Sequence, residues 1–318
     1  MTDELPVGTD TVGRVTGRAL DWLHRNRLYG AFPSPESADL ADPNGYYKSL
    51  GETALAASLV LRERSVLPAG HEQAAHELLD FAWGQLRQGD LLYERQLRHP
   101  LMTDPLEVYT HFGRGGHRHE RLDTLLGHLA GLRAHQGAEL MPNRRLAVAN
   151  AARVAGFAGS GSSEGSGGGA DWAGLLAATW LGRLPEPWAI DWMTAYCMTH
   201  TVFHVTDWGG LPHALPGDVV AYLECWLPVW IDIWTEIEEW DLVAELLIVD
   251  ACLPRPGHHR DVWERLAAVQ HADGLVPRDG KPVGDEPEQA FRDQQHTAVV
   301  TVVAGTLAQS RSGDASPR

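Results

Sequence analysis

The chain of 318 residues is 44% apolar and 21% charged, which suffices for a packed core and excludes a disulfide-stapled miniprotein or an intrinsically disordered chain. Its 42 acids and 26 bases leave a formal charge of −16, and only Lys48 and Lys281 are lysines, which argues against holding nucleic acid or anionic lipid through bulk charge. Three cysteines without CxxC spacing, no basic-then-apolar leader and no run of about 18 apolar residues point to a reduced, cytoplasmic protein with no membrane span.

The first twelve residues and the tail 309–318 are small and polar and are expected to fray, framing one domain over 13–308. Apolar residues three and four apart predict helices over 50–64, 71–86, 122–132, 172–181, 188–208, 219–237, 242–253, 262–270 and 296–307. Proline and glycine fall between these segments, except Pro228, which is expected to kink its helix. The Gly/Ser run 159–169 is expected to be a flexible loop carried by the one domain. Strand-like alternation is scarce, so the fold class is all-α.

Between Leu184 and Pro254 there is no lysine or arginine, yet the stretch holds twelve acids, Asp241, Glu245 and Asp250 among them. It is either an acidic solvent face or a cavity wall whose potential suits a metal ion, a cationic substrate or a cationic transition state. Within it, the predicted helix 188–208 places His200, His204 and Asp207 at i, i+4 and i+7, with Tyr196 one turn earlier. Two imidazoles and a carboxylate in one stripe are candidate ligands for a divalent metal (Zn, Fe, Cu or Mn). They equally suit acid–base catalysis with Asp207 orienting His204, or a pair of hydrogen-bonded core histidines. His296 is a candidate third imidazole, and Glu52 holds the matching place in an earlier helix.

Trp226, Trp230 and Trp234 recur every fourth residue, and with Trp208 they are candidates for an aromatic cavity lining or for ordinary core. Asp232 and Glu236 beside them suit the acid–base pair of a carbohydrate-active enzyme. The segment 111–120 gathers His111, His117 and His119 with glycines and arginines, and reads as a solvated basic loop or an anion-binding one.

Glu52-Thr-Ala-Leu55, His200-Thr-Val-Phe203 and His296-Thr-Ala-Val299 form a weak repeat, the third following the glycine-bearing loop 270–277. The arrangement, best over 262–307, resembles the helical hairpins of α/α-toroids, the architecture of class II terpene cyclases and protein prenyltransferase β-subunits. The cyclases' DxDD signature is absent; Asp250, Cys252 and His296 loosely resemble the prenyltransferase zinc set at shorter separation. The stretch His200-Thr-Val-Phe-His-Val-Thr-Asp-Trp-Gly209 is similar to one in uncharacterised actinobacterial proteins. The resemblance implies an α/α-toroid, or an incomplete (α/α) barrel, and an enzyme of bacterial specialised metabolism. Such an enzyme would cyclise, isomerise or eliminate from a small hydrophobic or cyclic substrate, with or without a divalent metal. The rivals are a carbohydrate-active α/α-barrel and a non-enzymatic ligand carrier or scaffold.

Overall fold

Helical periodicity carries through to the computed structural model, which describes residues 7–32, 45–157 and 170–314. Fourteen α-helices and no strand occur among the described residues. They are α1 (Val7–Asn26), α2 (Tyr46–Arg62), α3 (Ala69–Gln85), α4 (Asp90–Arg98), α5 (Asp104–Arg114), α6 (Glu120–Ala130), α7 (Arg133–Gln136) and α8 (Pro142–Val154). After the Gly/Ser run, which lies outside the described residues, come α9 (Trp172–Ala177), α10 (Trp192–Val205), α11 (Gly217–Glu236), α12 (Trp240–Cys252), α13 (Arg260–Val269) and α14 (Pro287–Asp314). None of the described helices is long and apolar enough to cross a membrane.

Pairwise packing closes a ring. Helix α2 packs on α5, α5 on α8, α8 on α10, α10 on α12 and α12 on α14, and α14 returns to α2. The others lie outside it: α1 covers α14, α3 covers α2, α9 covers α8, α11 covers α12, and α13 packs on α1. Sequence explains which helices are inner. Every residue of α12 is buried, as its all-round apolar pattern requires, whereas α11 leaves Asp232 and Glu236 in solvent. Two glycines permit close packing. A Cβ on Gly305 of α14 would lie 1.8 Å from Thr16 Oγ1 of α1, and one on Gly51 of α2 would lie 2.8 Å from Val108 of α5. Gln295 ties the ring closure, donating from α14 to Ser49 O at 3.2 Å and Thr53 Oγ1 at 3.3 Å on α2.

Several boundaries differ from those predicted. Helix α1 begins at Val7 and buries Thr11, and α14 runs to Asp314, so residues 7–12 and 309–314 are helical rather than frayed. At that end Ser310 donates to Glu63 and Arg311 donates to Leu253 O. Helix α5 occupies sequence read in part as loop, and places His111 and Arg114 inward. Pro228 sits within α11 on its exposed side, and the helix continues through it.

The predicted helix 188–208 is trimmed at both ends. Asp191 caps α10 through a reciprocal box with Thr194, whose N–H donates to Asp191 Oδ1 at 2.8 Å while Thr194 Oγ1 accepts from Asp191 N. At the other end Asp207 and Trp208 take left-handed backbone, with φ of 50° and 53°.

Candidate functional site

A cavity of about 560 Å³ lies inside the ring, and each of the six ring helices lends it a side chain. Helix α2 gives Glu52, α5 Glu107, α8 Arg144, α10 His200 and His204, α12 Glu245 and α14 His296. The size suits a small molecule. Apolar surface comes from Leu55, Val108, Phe203, Trp208, Val299 and Val300.

Polar groups concentrate where α2, α12 and α14 meet. Asp241, Glu245 and His296 each present a ligand atom, and these atoms lie within 4.8 Å of one another. Asp241 and Glu245 stand four apart on one face of the largely apolar α12. His296 Nε2 lies 3.4 Å from Glu245 Oε1 and 3.8 Å from Asp241 Oδ2, and His200 Nε2 comes within 3.6 Å of Glu245 Oε1 from α10.

Each of the three is oriented from behind. Thr297 Oγ1 donates to Asp241 Oδ1 at 2.6 Å, and Tyr196 Oη donates to Asp241 Oδ2. Thr199 Oγ1 donates to Glu245 Oε2. Glu52 Oε1 lies 3.0 Å from His296 Nδ1, and Lys48 Nζ lies 3.6 Å from the same oxygen. With Nδ1 engaged by Glu52, Nε2 is the nitrogen turned to the two α12 carboxylates.

Burial opposes charge on Glu245, but the imidazoles of His200 and His296 outweigh it and hold its carboxyl down to about 2. Burial likewise opposes charge on Glu52, and His296 outweighs it, lowering that carboxyl too. Burial would strip the proton from His296; Glu52 and Asp241 override it and hold this imidazole well above the ordinary histidine range. The Tyr196 phenol is pushed up, first by burial and then by the Asp241 charge.

The predicted stripe of His200, His204 and Asp207 does not assemble as one set. The left-handed turn after α10 swings Asp207 away from the imidazoles. Its Oδ1 accepts from Arg114 and, at 3.1 Å, from Asn150, while Arg62 holds the Asp207 and Trp208 carbonyls at 3.0 and 2.6 Å. Asp207 is therefore neither ligand nor orienter of His204. His204 stays on the cavity wall, its ring 6.0 Å from that of His200, and burial followed by the His200 charge keeps its proton affinity well below the ordinary value. Tyr196 sits behind the site, bonded to Asp241, rather than in the cavity lining.

Among the aromatic candidates only Trp208 lines the cavity. Trp226, Trp230 and Trp234 belong to the outer helix α11 and pack as core, with Trp230 Nε1 donating to Pro187 O at 3.0 Å. Asp232 and Glu236 face solvent on that helix, outside the cavity. Asp250 accepts from the N–H groups of Gly257 and His258 and pairs with His259, so Asp250, Cys252 and His296 do not form a zinc set. His117 pairs with Asp80 at 3.1 Å, and His119 Nδ1 caps α6 by accepting from Leu122 N, which gives both a local structural role.

Asp241 and Glu245 are site residues that the sequence reading does not single out, although two acids four apart at the head of a largely apolar helix are a usable signal. Nor does it single out Glu107 and Arg144. They form a two-pronged pair on α5 and α8, across the ring from α12 and α14, and Glu139 lies 3.6 Å from Arg144 Nε. Burial raises the Glu107 carboxyl even against Arg144.

No curated protein and no solved structure matches this chain. A family model described as a domain of unknown function, DUF6895, matches residues 16–306, and the chain belongs to that family.

Proposed function

We propose that this protein is an enzyme that holds a divalent cation on Asp241, Glu245, His296 and His200 and acts on a small, largely apolar substrate enclosed by the helical ring. The observation that carries the reading is the convergence of the α12 carboxylates and His296 Nε2 at the wall of a molecule-sized cavity, each oriented by a second-layer hydrogen bond. Two imidazoles and two carboxylates suit zinc, iron or manganese, and such a cation would polarise an oxygen of the substrate. In this reading His204, one turn along α10 and on the same cavity wall, serves as the base. Lewis-acid assistance with a nearby base suits proton abstraction, and so isomerisation or elimination. The alternation of outer and inner helices supports the likeness to α/α-toroids. That likeness adds cyclisation to the candidate reactions and a place in bacterial specialised metabolism, while fold alone assigns no activity.

Elemental mass spectrometry of tag-free protein tests the reading. We expect about one divalent transition metal per chain after incubation with zinc, iron(II) or manganese and dialysis, reduced at least tenfold in Asp241→Asn and in Glu245→Gln, with helical circular dichroism retained. Wild-type protein that retains no metal would overturn it. The carboxylates that flank His296, Glu52 at 3.0 Å from Nδ1 and Glu245 at 3.4 Å from Nε2, favour one second reading, in which charged His296 serves as a general acid without a metal.

A further inference from the structure

A second chamber of about 460 Å³ opens beside the central cavity and shares Lys48, Glu52 and His296 with it. Its remaining wall comes from α2, α14 and the turn after α1, and carries the aromatic side chains of Tyr29, Tyr46 and Phe291. The Tyr29 and Phe291 rings lie 6.2 Å apart and inclined by 47°, while Phe291 is backed by Trp22 at 5.6 Å. Two bases, Lys48 and Arg292, stand in this wall against one acid, Glu52, in a chain whose net charge is −16. Glu52 is already engaged by His296 at 3.0 Å. Lys48 and Arg292 are half-exposed, and among the described residues they pair with side chains one helical turn away, Glu52 and Glu288, while the Tyr46 hydroxyl lies 3.4 Å from Arg292. The exposed Arg292–Glu288 pair is weak, and Lys48 stands 3.6 Å from a Glu52 oxygen that His296 already holds, so both cations can turn to a ligand anion.

We infer that this outer chamber is a recognition site for a ring-bearing anion, by class an aromatic carboxylate, seated among Tyr29, Tyr46 and Phe291 with its charge on Lys48 and Arg292. Because His296 borders both chambers, a substrate held this way extends its uncharged part toward the reactive centre. The inference rests on the proposed function for the word substrate, while the binding site stands on its own geometry. It commits the enzyme to an amphipathic substrate: an anionic aromatic end outside, and an apolar, reacting end within the ring.

Ligand-observed NMR titration of the full-length protein with benzoate tests this, with benzyl alcohol and acetate as probes lacking the charge and the ring. We expect benzoate to bind at least tenfold more tightly than either, and to weaken at least tenfold in the double variant Lys48→Gln/Arg292→Gln and several-fold in Tyr46→Leu. Benzoate binding no better than benzyl alcohol, or unmoved in both variants, would overturn the inference. Glu245→Gln separates the two claims: it loses metal under the proposed function yet keeps benzoate affinity. A metal-free protein that still binds benzoate through Lys48 and Arg292 would sink only the metal centre, and a metal-loaded one that ignores benzoate would sink only the chamber.

Discussion

Swung out of the histidine stripe, Asp207 instead neutralises Arg114 with its carboxylate, in a part-buried cluster that also holds Asn150. Burial opposes its charge, but the Arg114 guanidinium wins and lowers the Asp207 carboxyl below its ordinary value. A carboxyl depressed on folding stabilises the protein above the ordinary aspartate range, and the contribution disappears as pH falls through the lower folded value. Asp207→Asn leaves the guanidinium without its counter-charge and should cost about 3 kcal/mol at pH 7. The gap between variant and wild type should begin to narrow as pH drops below about 4, where the unfolded carboxyl protonates, and should close once pH passes the lower folded value and the native carboxyl comes to match the amide. Urea midpoints at pH 7 and in acid measure both effects. A gap unchanged in acid would mean that the cluster acts by packing rather than by charge.

Elements were more legible than sites. Period-3.6 apolar spacing identifies inner helices such as α2, α12 and the core of α14, because burial on all sides demands it. It passes over α1, which starts in small polar residues and derives its stability from packing on α14, a partner at the far end of the chain. The repeat of polar residue and threonine correctly brings Glu52, His200 and His296 toward one centre. The i, i+4, i+7 stripe fails for Asp207 because the helix ends at Val205, a boundary set by left-handed backbone at a non-glycine residue that periodicity cannot foresee. Tryptophans four apart mark a buried face of α11, and only tertiary packing tells core from cavity. The contact of α1 with α14 also gives an element-scale prediction. Gly305→Val forces a branched side chain against Thr16 and should cost about 2 kcal/mol. Thr16→Ala in the same chain should recover part of that loss, and a double-mutant cycle by chemical unfolding should show coupling of at least about 0.5 kcal/mol. Strict additivity would mean the two helices separate freely.

At the scale of the whole molecule, the ring makes the two halves of the sequence depend on each other. Residues up to 157 contribute α2, α5 and α8, and residues from 170 contribute α10, α12 and α14, so each half holds three of the six ring helices. Within the ring, the contacts of α8 with α10 and of α14 with α2 are the seams that join them; outside it, α1 packs on α14 and α13, and α9 packs on α8. A half-ring would expose the apolar faces that now meet across those seams, and the proposed metal set would lose Glu52, which orients His296 from the first half. The fragments 1–157 and 170–318 should therefore each fail to reach native structure alone, showing helical far-ultraviolet signal without near-ultraviolet signal. Expressed together they should form a one-to-one complex with native near-ultraviolet dichroism, because the surface that drives assembly is the surface that folding buries in the intact chain. Coincident denaturation curves from tryptophan fluorescence and far-ultraviolet dichroism should mark the intact protein as one cooperative unit. Two autonomously folding fragments, or two separated transitions, would instead make the halves independent domains and the cavity a cleft between them.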